Sequence, residues 1–269
     1  MPTNIKRIVS IANQKGGVGK TTTAINMAAA IAKKGHKVLL IDLDPQGNAS
    51  TGLGIEPEAR EITAYDVLVD GSSIEDAAVN TQVQNLSVLP SNTDLSSADA
   101  ELMSDKGRLL RLRNALASTE GYKYVFIDCP PSLNLLTINA FAASDSVLVP
   151  LQSEFYALEG LSQLILTVRE VREALDTELF IDGVVLTMFD RRVKLAQQVE
   201  ADVRENLGNL VYETIIPRSV RLSEAPSYGE TILQYDASGR GAQAYLDLGS
   251  EFLKRDKSRK IKAKPLENK

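Results

Sequence analysis

Unbroken runs of Val, Ile and Leu recur along the chain, and between them lie longer stretches with helical spacing of apolar residues. The runs predict strands over Arg7–Ala12, Val38–Leu43, Ser87–Pro90, Tyr124–Asp128, Ser146–Pro150 and Ile181–Thr187, with a shorter one near Glu213–Ile216. Several lack polar alternation, as strands covered on both faces do. Helical patterns occupy Lys20–Lys34, Gly107–Ser118, Ala157–Leu175, Leu195–Asn206 and Ala242–Arg255. This alternation predicts βαβ units: an α/β fold with a mostly parallel, twisted sheet and helices on both faces. Gly52–Asn85 has weak signals and reads as a loop-and-helix excursion. No repeat or low-complexity linker interrupts the pattern. One domain is expected over residues 1–253, its regular part opening near residue 5, followed by a tail over 254–269.

Ligands of open parallel sheets lie beyond the carboxyl ends of the strands. Three polar segments fall at such ends: Asn13–Thr21, Asp42–Asn48 and Asp128–Pro131. The first reads Lys15-Gly16-Gly17-Val18-Gly19-Lys20-Thr21, a P-loop. Glycines free backbone N–H groups to surround phosphate oxygens, Lys20 neutralises the outer phosphates, and the Thr21 hydroxyl helps hold Mg²⁺. The following helix starts at the phosphates, its positive dipole end facing the anion. Gln14 stands where the common pattern has its first glycine, and an extra lysine, Lys15, stands at the loop mouth. Lys15 is either a surface lysine or a second cation that reaches a nucleotide across a dimer seam, as an arginine finger does. Asp128 ends an apolar strand and either supports Mg²⁺, directly or through water, or caps the next turn. In Asp42-Leu43-Asp44-Pro45-Gln46-Gly47-Asn48, turn chemistry accounts for Pro45, Gly47 and Asn48 but not for two alternating acids. Asp44 is the candidate to orient or deprotonate the attacking water. Asp42 reads as structural.

Composition narrows the class. The 269 residues are 43% hydrophobic and 24% charged, as in a soluble domain with a full core, and no run approaches a membrane span. Cys129 is the single cysteine, so neither an internal disulfide nor a one-chain cysteine metal site is available, and a reducing cytoplasm fits. Cys129 itself reads as a small core residue. The net charge is −5, but Lys254–Lys269 holds eight Lys/Arg against two Asp/Glu, leaving −11 on the body. That basic tail is either a solvated terminus or a phosphate contact. Arg191-Arg192-Val193-Lys194 is a second basic cluster, just after a predicted strand, and reads either as a solvated loop or as a phosphate contact. His36, in a Gly-containing turn, reads as a surface residue.

Together, KGGVGKTTT, DLDPQGN, the run Phe126–Ser132 and the segment Ile216–Gly229 resemble the ParA/Soj chromosome-partitioning ATPases. These belong to the deviant Walker A group of P-loop ATPases that also includes MinD. The likeness spans residues 5 to about 253. It implies ATP and Mg²⁺ as cofactors, ATPase activity with a slow basal rate, and an ATP-dependent homodimer in which Lys15 contacts the partner's nucleotide. It implies phosphate contacts along Lys15, Gly16, Gly17, Val18, Gly19, Lys20, Thr21 and Thr22, with Thr21 and Asp128 at the metal and Lys15, Lys20 and Asp44 in hydrolysis. Adenine contacts map to Met188, Pro217 and Ser219, the last a position where relatives often carry Asn. Non-specific DNA binding maps to Arg192 and Arg221, with Arg191, Lys194 and Arg218 beside them. A ParB/Spo0J-like centromere-binding partner would stimulate hydrolysis and release, in a cytoplasmic, nucleoid-associated protein without a stable membrane anchor. A MinD-like membrane cycle needs a terminal amphipathic helix, whereas here the tail has scattered apolar residues and Pro265. An iron–sulfur role needs more cysteines than one. A non-enzymatic scaffold that positions another cargo stays open.

Overall fold

The computed structural model describes residues 6–154 and 157–263. Seven strands form one sheet: β1 (Arg7–Ile11), β2 (Val38–Asp42), β3 (Val79–Asn80), β4 (Leu86–Leu89), β5 (Tyr124–Asp128), β6 (Ser146–Gln152) and β7 (Phe180–Thr187). Their order is β3-β4-β2-β5-β1-β6-β7. Every pairing is parallel except that of the short edge strand β3 with β4. The longer helices are α1 (Lys20–Lys33), α2 (Arg111–Ser118), α3 (Leu135–Ala143), α4 (Ala157–Ala174), α5 (Lys194–Leu207) and α6 (Arg240–Ala263).

The unbroken apolar runs divide between two cores by strand periodicity. On β5, Val125 and Ile127 enter one core while Tyr124 and Phe126 enter the other; on β2, Leu39 and Ile41 part from Val38 and Leu40 in the same way. Buried residues of α2, α3 and α4 cover the first face. The second is covered by α1 and α6, whose Tyr245, Leu248 and Phe252 pack over the alanine-rich α1. Small residues let these two helices approach closely, since a Cβ on Gly249 would lie 3.1 Å from the Ala30 Cβ.

Three segments differ from the sequence-based reading. The stretch near Glu213–Ile216 forms no strand: isolated bridges flank it, Val184 with Val211 and Phe189 with Pro217, and Ile216 N donates to Leu186 O at 2.8 Å. Its backbone is drawn off the ladder, because the N–H groups of Glu213 and Thr214 both donate to the Glu251 carboxylate at 2.9 Å. Helix α3 is apolar on nearly every side and buried, so it carries little amphipathic signal for sequence reading. Helix α6 runs past residue 254 to Ala263, held by its basic residues. Arg255 lies 3.9 Å over the Tyr212 ring and donates to Val211 O at 2.8 Å, and Arg259 pairs with buried Asp182. His36 is half-buried, edge-on to Tyr124 with ring centroids 5.2 Å apart.

Candidate nucleotide site

Register brings the three polar segments together. Asp42 at the end of β2 is paired with Asp128 at the end of β5, and Asp128 with Ile11 at the end of β1. The P-loop, the Asp44 turn and Asp128 therefore share the carboxyl edge at the centre of the sheet, beside the switch between β1 and β6.

The loop between β1 and α1 is shaped by Gly17 and Gly19, with φ of +73° and +84°, where a side chain would be strained. Gly19 is the residue before the first turn of α1, and no side chain caps that turn, so its N–H groups face the loop. Asn13 braces the loop from within: its amide donates to Pro150 O at 2.8 Å and its oxygen accepts from Lys15 N at 3.0 Å. Lys20 is buried and its ammonium donates to Lys15 O at 3.1 Å, which folds it back over the loop. Burial lowers its pKa, while Asp128, the Cys129 thiol and Asp44 oppose that shift. Lys15 is exposed and its ammonium pairs with Glu154.

Asp42 is fully buried and accepts from Ser50 N at 2.8 Å, Ser50 Oγ at 2.7 Å and Asp44 N at 3.2 Å. It props the turn, as a structural acid would. Asp44 lies in the turn itself, its carboxylate accepting from Gln46 N at 3.0 Å. Asp128 differs from both: each of its carboxylate oxygens is buried without a hydrogen-bond partner. Burial first, then the Asp42 carboxylate, push its pKa well up, with the Thr21 hydroxyl and Lys20 pulling the other way. A buried carboxylate left unsatisfied beside a hydroxyl is a donor set that suits a hard cation such as Mg²⁺. Cys129 next to it is sealed in the core, and burial pushes its thiol far up, so it has no nucleophile's character.

A cavity of about 280 Å³ adjoins the loop, and Met188, Pro217 and Ser219 all line it, along with Gly19, Thr22 and Tyr245. Met188 has φ +49°, strained for a side-chain-bearing residue, and its Cε would meet a Cβ on Gly19 at 3.6 Å. Thr187 ties the wall to the loop, its hydroxyl donating to Val18 O at 2.8 Å. The flat apolar walls next to a phosphate loop suit a base.

The basic candidates divide between two places. Arg191, Arg192 and Arg218 border an open groove of about 1240 Å³, whose far wall on α6 adds Arg240 and Lys254. Arg240 was not singled out in the sequence and Lys254 was counted there only with the basic tail, since only the fold brings α6 opposite the loop after β7. The groove is not uniformly positive: Arg192 is bound by Asp190 at 2.7 Å, and Asp247 and Glu251 stand on the α6 wall beside Arg240 and Lys254. Lys194 opens α5. Arg221 points elsewhere, pairing with Glu224 at 3.2 Å and lying 5.8 Å over the Tyr235 ring. Among the described residues, no helix is long and apolar enough to cross a membrane.

The sequence profile of a family described as "AAA domain" matches residues 6–181. The chain is 54% identical over 266 residues to the "Chromosome partitioning protein ParA" of Caulobacter vibrioides strain NA1000, covering 98% of this chain and all of that one. It is 54% identical over 246 residues to the "Sporulation initiation inhibitor protein Soj" of Bacillus subtilis strain 168, covering 91% and 97%. Among solved structures, it superposes with TM-score 0.84 and 35% identity on a Mycobacterium smegmatis protein described as cobyrinic acid a,c-diamide synthase with bound ATP analog and magnesium, covering 95% and 97%.

Proposed function

The chain belongs to the ParA/Soj family of P-loop ATPases, and on that premise we propose that it is a partitioning ATPase whose ATP-bound dimer holds DNA non-specifically until hydrolysis, stimulated by a ParB-like partner, releases it. ATP and Mg²⁺ are its cofactors, in keeping with the ATP analog and magnesium described for the superposed structure. The observation that carries the reading is the register-locked edge: P-loop, Asp44 turn and partnerless Asp128 meet there, with Lys15 exposed at its mouth.

The roles proposed for the residues are consistent with that geometry. The base enters the slot of Met188, Pro217 and Ser219. Backbone N–H groups from Gly16 to Thr22 and the Lys20 ammonium take the phosphates. Thr21 and Asp128 hold the magnesium, partly through water; when bound, it neutralises charge that builds on the phosphate oxygens. Asp44, close enough to Lys20 to affect its titration, orients the attacking water. Lys15 leaves Glu154 and reaches the triphosphate of a second copy. Basal turnover is slow, because the site is complete only in the dimer and is accelerated by the partner. Arg191, Arg192, Lys194, Arg218 and Arg221 contact phosphates of DNA without reading bases, which places the protein on the nucleoid.

The test is DNA binding as a function of salt with ATP, ADP and no nucleotide, with Arg192→Glu in parallel. ATP alone is expected to confer binding that falls steeply with salt, and Arg192→Glu to weaken it and reduce the salt slope by about one. Binding that ignores the nucleotide state sinks the proposal. Liposome flotation in ATP separates it from a membrane-cycling role, which would require ATP-dependent flotation.

A further inference from the structure

Arg60 lies in the excursion between β2 and β4, where the hydrophobic pattern of the chain is weakest. Half-buried, it uses three guanidinium nitrogens at once. Nη1 donates to Ser91 O at 2.9 Å, Nη2 to Thr51 Oγ1 at 2.7 Å and Ile55 O at 2.8 Å, and Nε to Ile55 O at 3.1 Å. Two hydrogen-bonded chains run from it to the turn that carries Asp44. Along one, Thr51 Oγ1 donates onward to Gly47 O at 3.1 Å, and Gly47 N closes the turn on Asp44 O at 2.9 Å. Along the other, Ser91 N donates to Ser50 Oγ at 3.0 Å, Ser50 Oγ to Asp42 at 2.7 Å, and Asp42 accepts from Asp44 N at 3.2 Å.

Gly47 is wedged where these chains meet. Its φ is +63°, and a Cβ there would fall 2.4 Å from Arg60 Nη1 and 3.0 Å from Ser91 O. The turn has no strand partner of its own beyond Leu43, whose N–H donates to Asp128 O at 3.0 Å. Its upstream end is fixed to the sheet, and its downstream end is held by Thr51 N, which donates to Gly47 O at 3.0 Å, by Ser50 N on Asp42, and by the two chains from Arg60.

We propose that Arg60 is a positioning residue for hydrolysis, clamping the Asp44–Gly47 turn against Thr51 and Ser91 so that the Asp44 carboxylate stays aimed at the phosphate loop. This rests on the reading of Asp44 as the residue that orients water. The fork geometry explains the residue type: a guanidinium can reach separate acceptors on three segments, whereas one lysine ammonium on a flexible stem does not hold that arrangement. Arg60 touches no part of the nucleotide cavity, so its effect is confined to the chemical step. A displacement of the reacting group by about 1 Å costs on the order of a hundredfold in rate.

The experiment is single-turnover ATP hydrolysis by the full chain, alongside affinity for a non-cleavable ATP analogue, for Arg60→Lys, Arg60→Met, Thr51→Val and Asp44→Asn. Both Arg60 variants are expected to hydrolyse roughly ten- to a hundredfold more slowly with affinity within about twofold of the parent. Thr51→Val should slow hydrolysis in the same direction by less, and added to Arg60→Met it should have little further effect, since both cut the same chain. Thr51→Val lacks only a hydroxyl and carries the test if an Arg60 variant does not fold. Parental rates in Thr51→Val and the folded Arg60 variants overturn the proposal, as does affinity that falls in step with rate. Parental hydrolysis by Asp44→Asn overturns the reading of Asp44 instead. A slow Asp44→Asn beside fully active Arg60 variants overturns the clamp alone.

Discussion

Lys15 and Glu154 are 43% and 48% exposed as side chains, so their ion pair is a weak tie. Pairs this wet contribute about 0–1 kcal/mol and fade with salt. In the proposed dimer, Lys15 would thus leave Glu154 for a second copy's nucleotide at small cost, and removing the tie should tilt the balance. Glu154→Gln is expected to tighten dimerisation by up to about fivefold in a non-cleavable ATP analogue, the gain shrinking as salt rises. Sedimentation velocity measures it, and unchanged or weaker association contradicts it. At this scale the placement of the candidate residues was largely legible. Lys20, Thr21, Asp44 and Asp128 hold fixed places relative to strand ends, and strand ends are written in apolar runs. Arg60 was not legible, because its meaning depends on a side chain reaching across a loop to Thr51 and Ser91. Arg240, and the place of Lys254 beside the loop after β7, were hidden for a related reason: a helix pattern says which residues face water, not which loop lies opposite.

Among the elements, the central strands follow the sequence because each is buried on both faces and so is mostly apolar. The segment before Pro217 deceived by the same criterion. It has strand-like residues, yet a side chain of α6 takes the N–H groups of Glu213 and Thr214. Burial raises the pKa of that acceptor, Glu251, but donation from Glu213 N, Thr214 N, Thr214 Oγ1 and Arg255 outweighs it and holds the carboxyl below its ordinary value. A folded value below the unfolded one makes the contribution full above the unfolded carboxylate range, near pH 4.3, and lost as pH falls through the folded value. Glu251→Gln is therefore expected to lower the urea midpoint at pH 7, with the gap to the parent closing as pH falls below the ordinary carboxylate range. A gap that stays constant with pH refutes the linkage.

The whole molecule has two unlike edges. At the carboxyl edge lie the glycine loop and Asp128, whose buried carboxylate oxygens have no hydrogen-bond partner. At the amino edge, charges are already neutralised in the interior. Buried Arg7 reaches Ser146 Oγ at 2.8 Å and Asp182 at 3.2 Å, with Asp145 and Asp256 each at 3.5 Å. Arg7 and Arg259 both lie 5.0 Å from the centre of the Phe180 ring. Removing one member of a buried ionic group costs about 3 kcal/mol or more, so Arg7→Met should unfold at clearly lower urea while affinity for nucleotide, bound at the other edge, changes by less than about twofold. Loss of nucleotide affinity at full stability would show that the edges are not independent.

Helix α6 joins those edges. Its Tyr245 lines the base cavity, its Arg259 meets Asp182, and its 24 residues span about 36 Å. Ser258, exposed one residue before that anchor, is consequently a good attachment point for a fluorophore. The chain's single native thiol, Cys129, is sealed, so maleimide chemistry on Ser258→Cys would label one place only. The dye would ride on a rigid rod at the pole remote from the triphosphate, reporting encounters between copies by energy transfer without standing in their way.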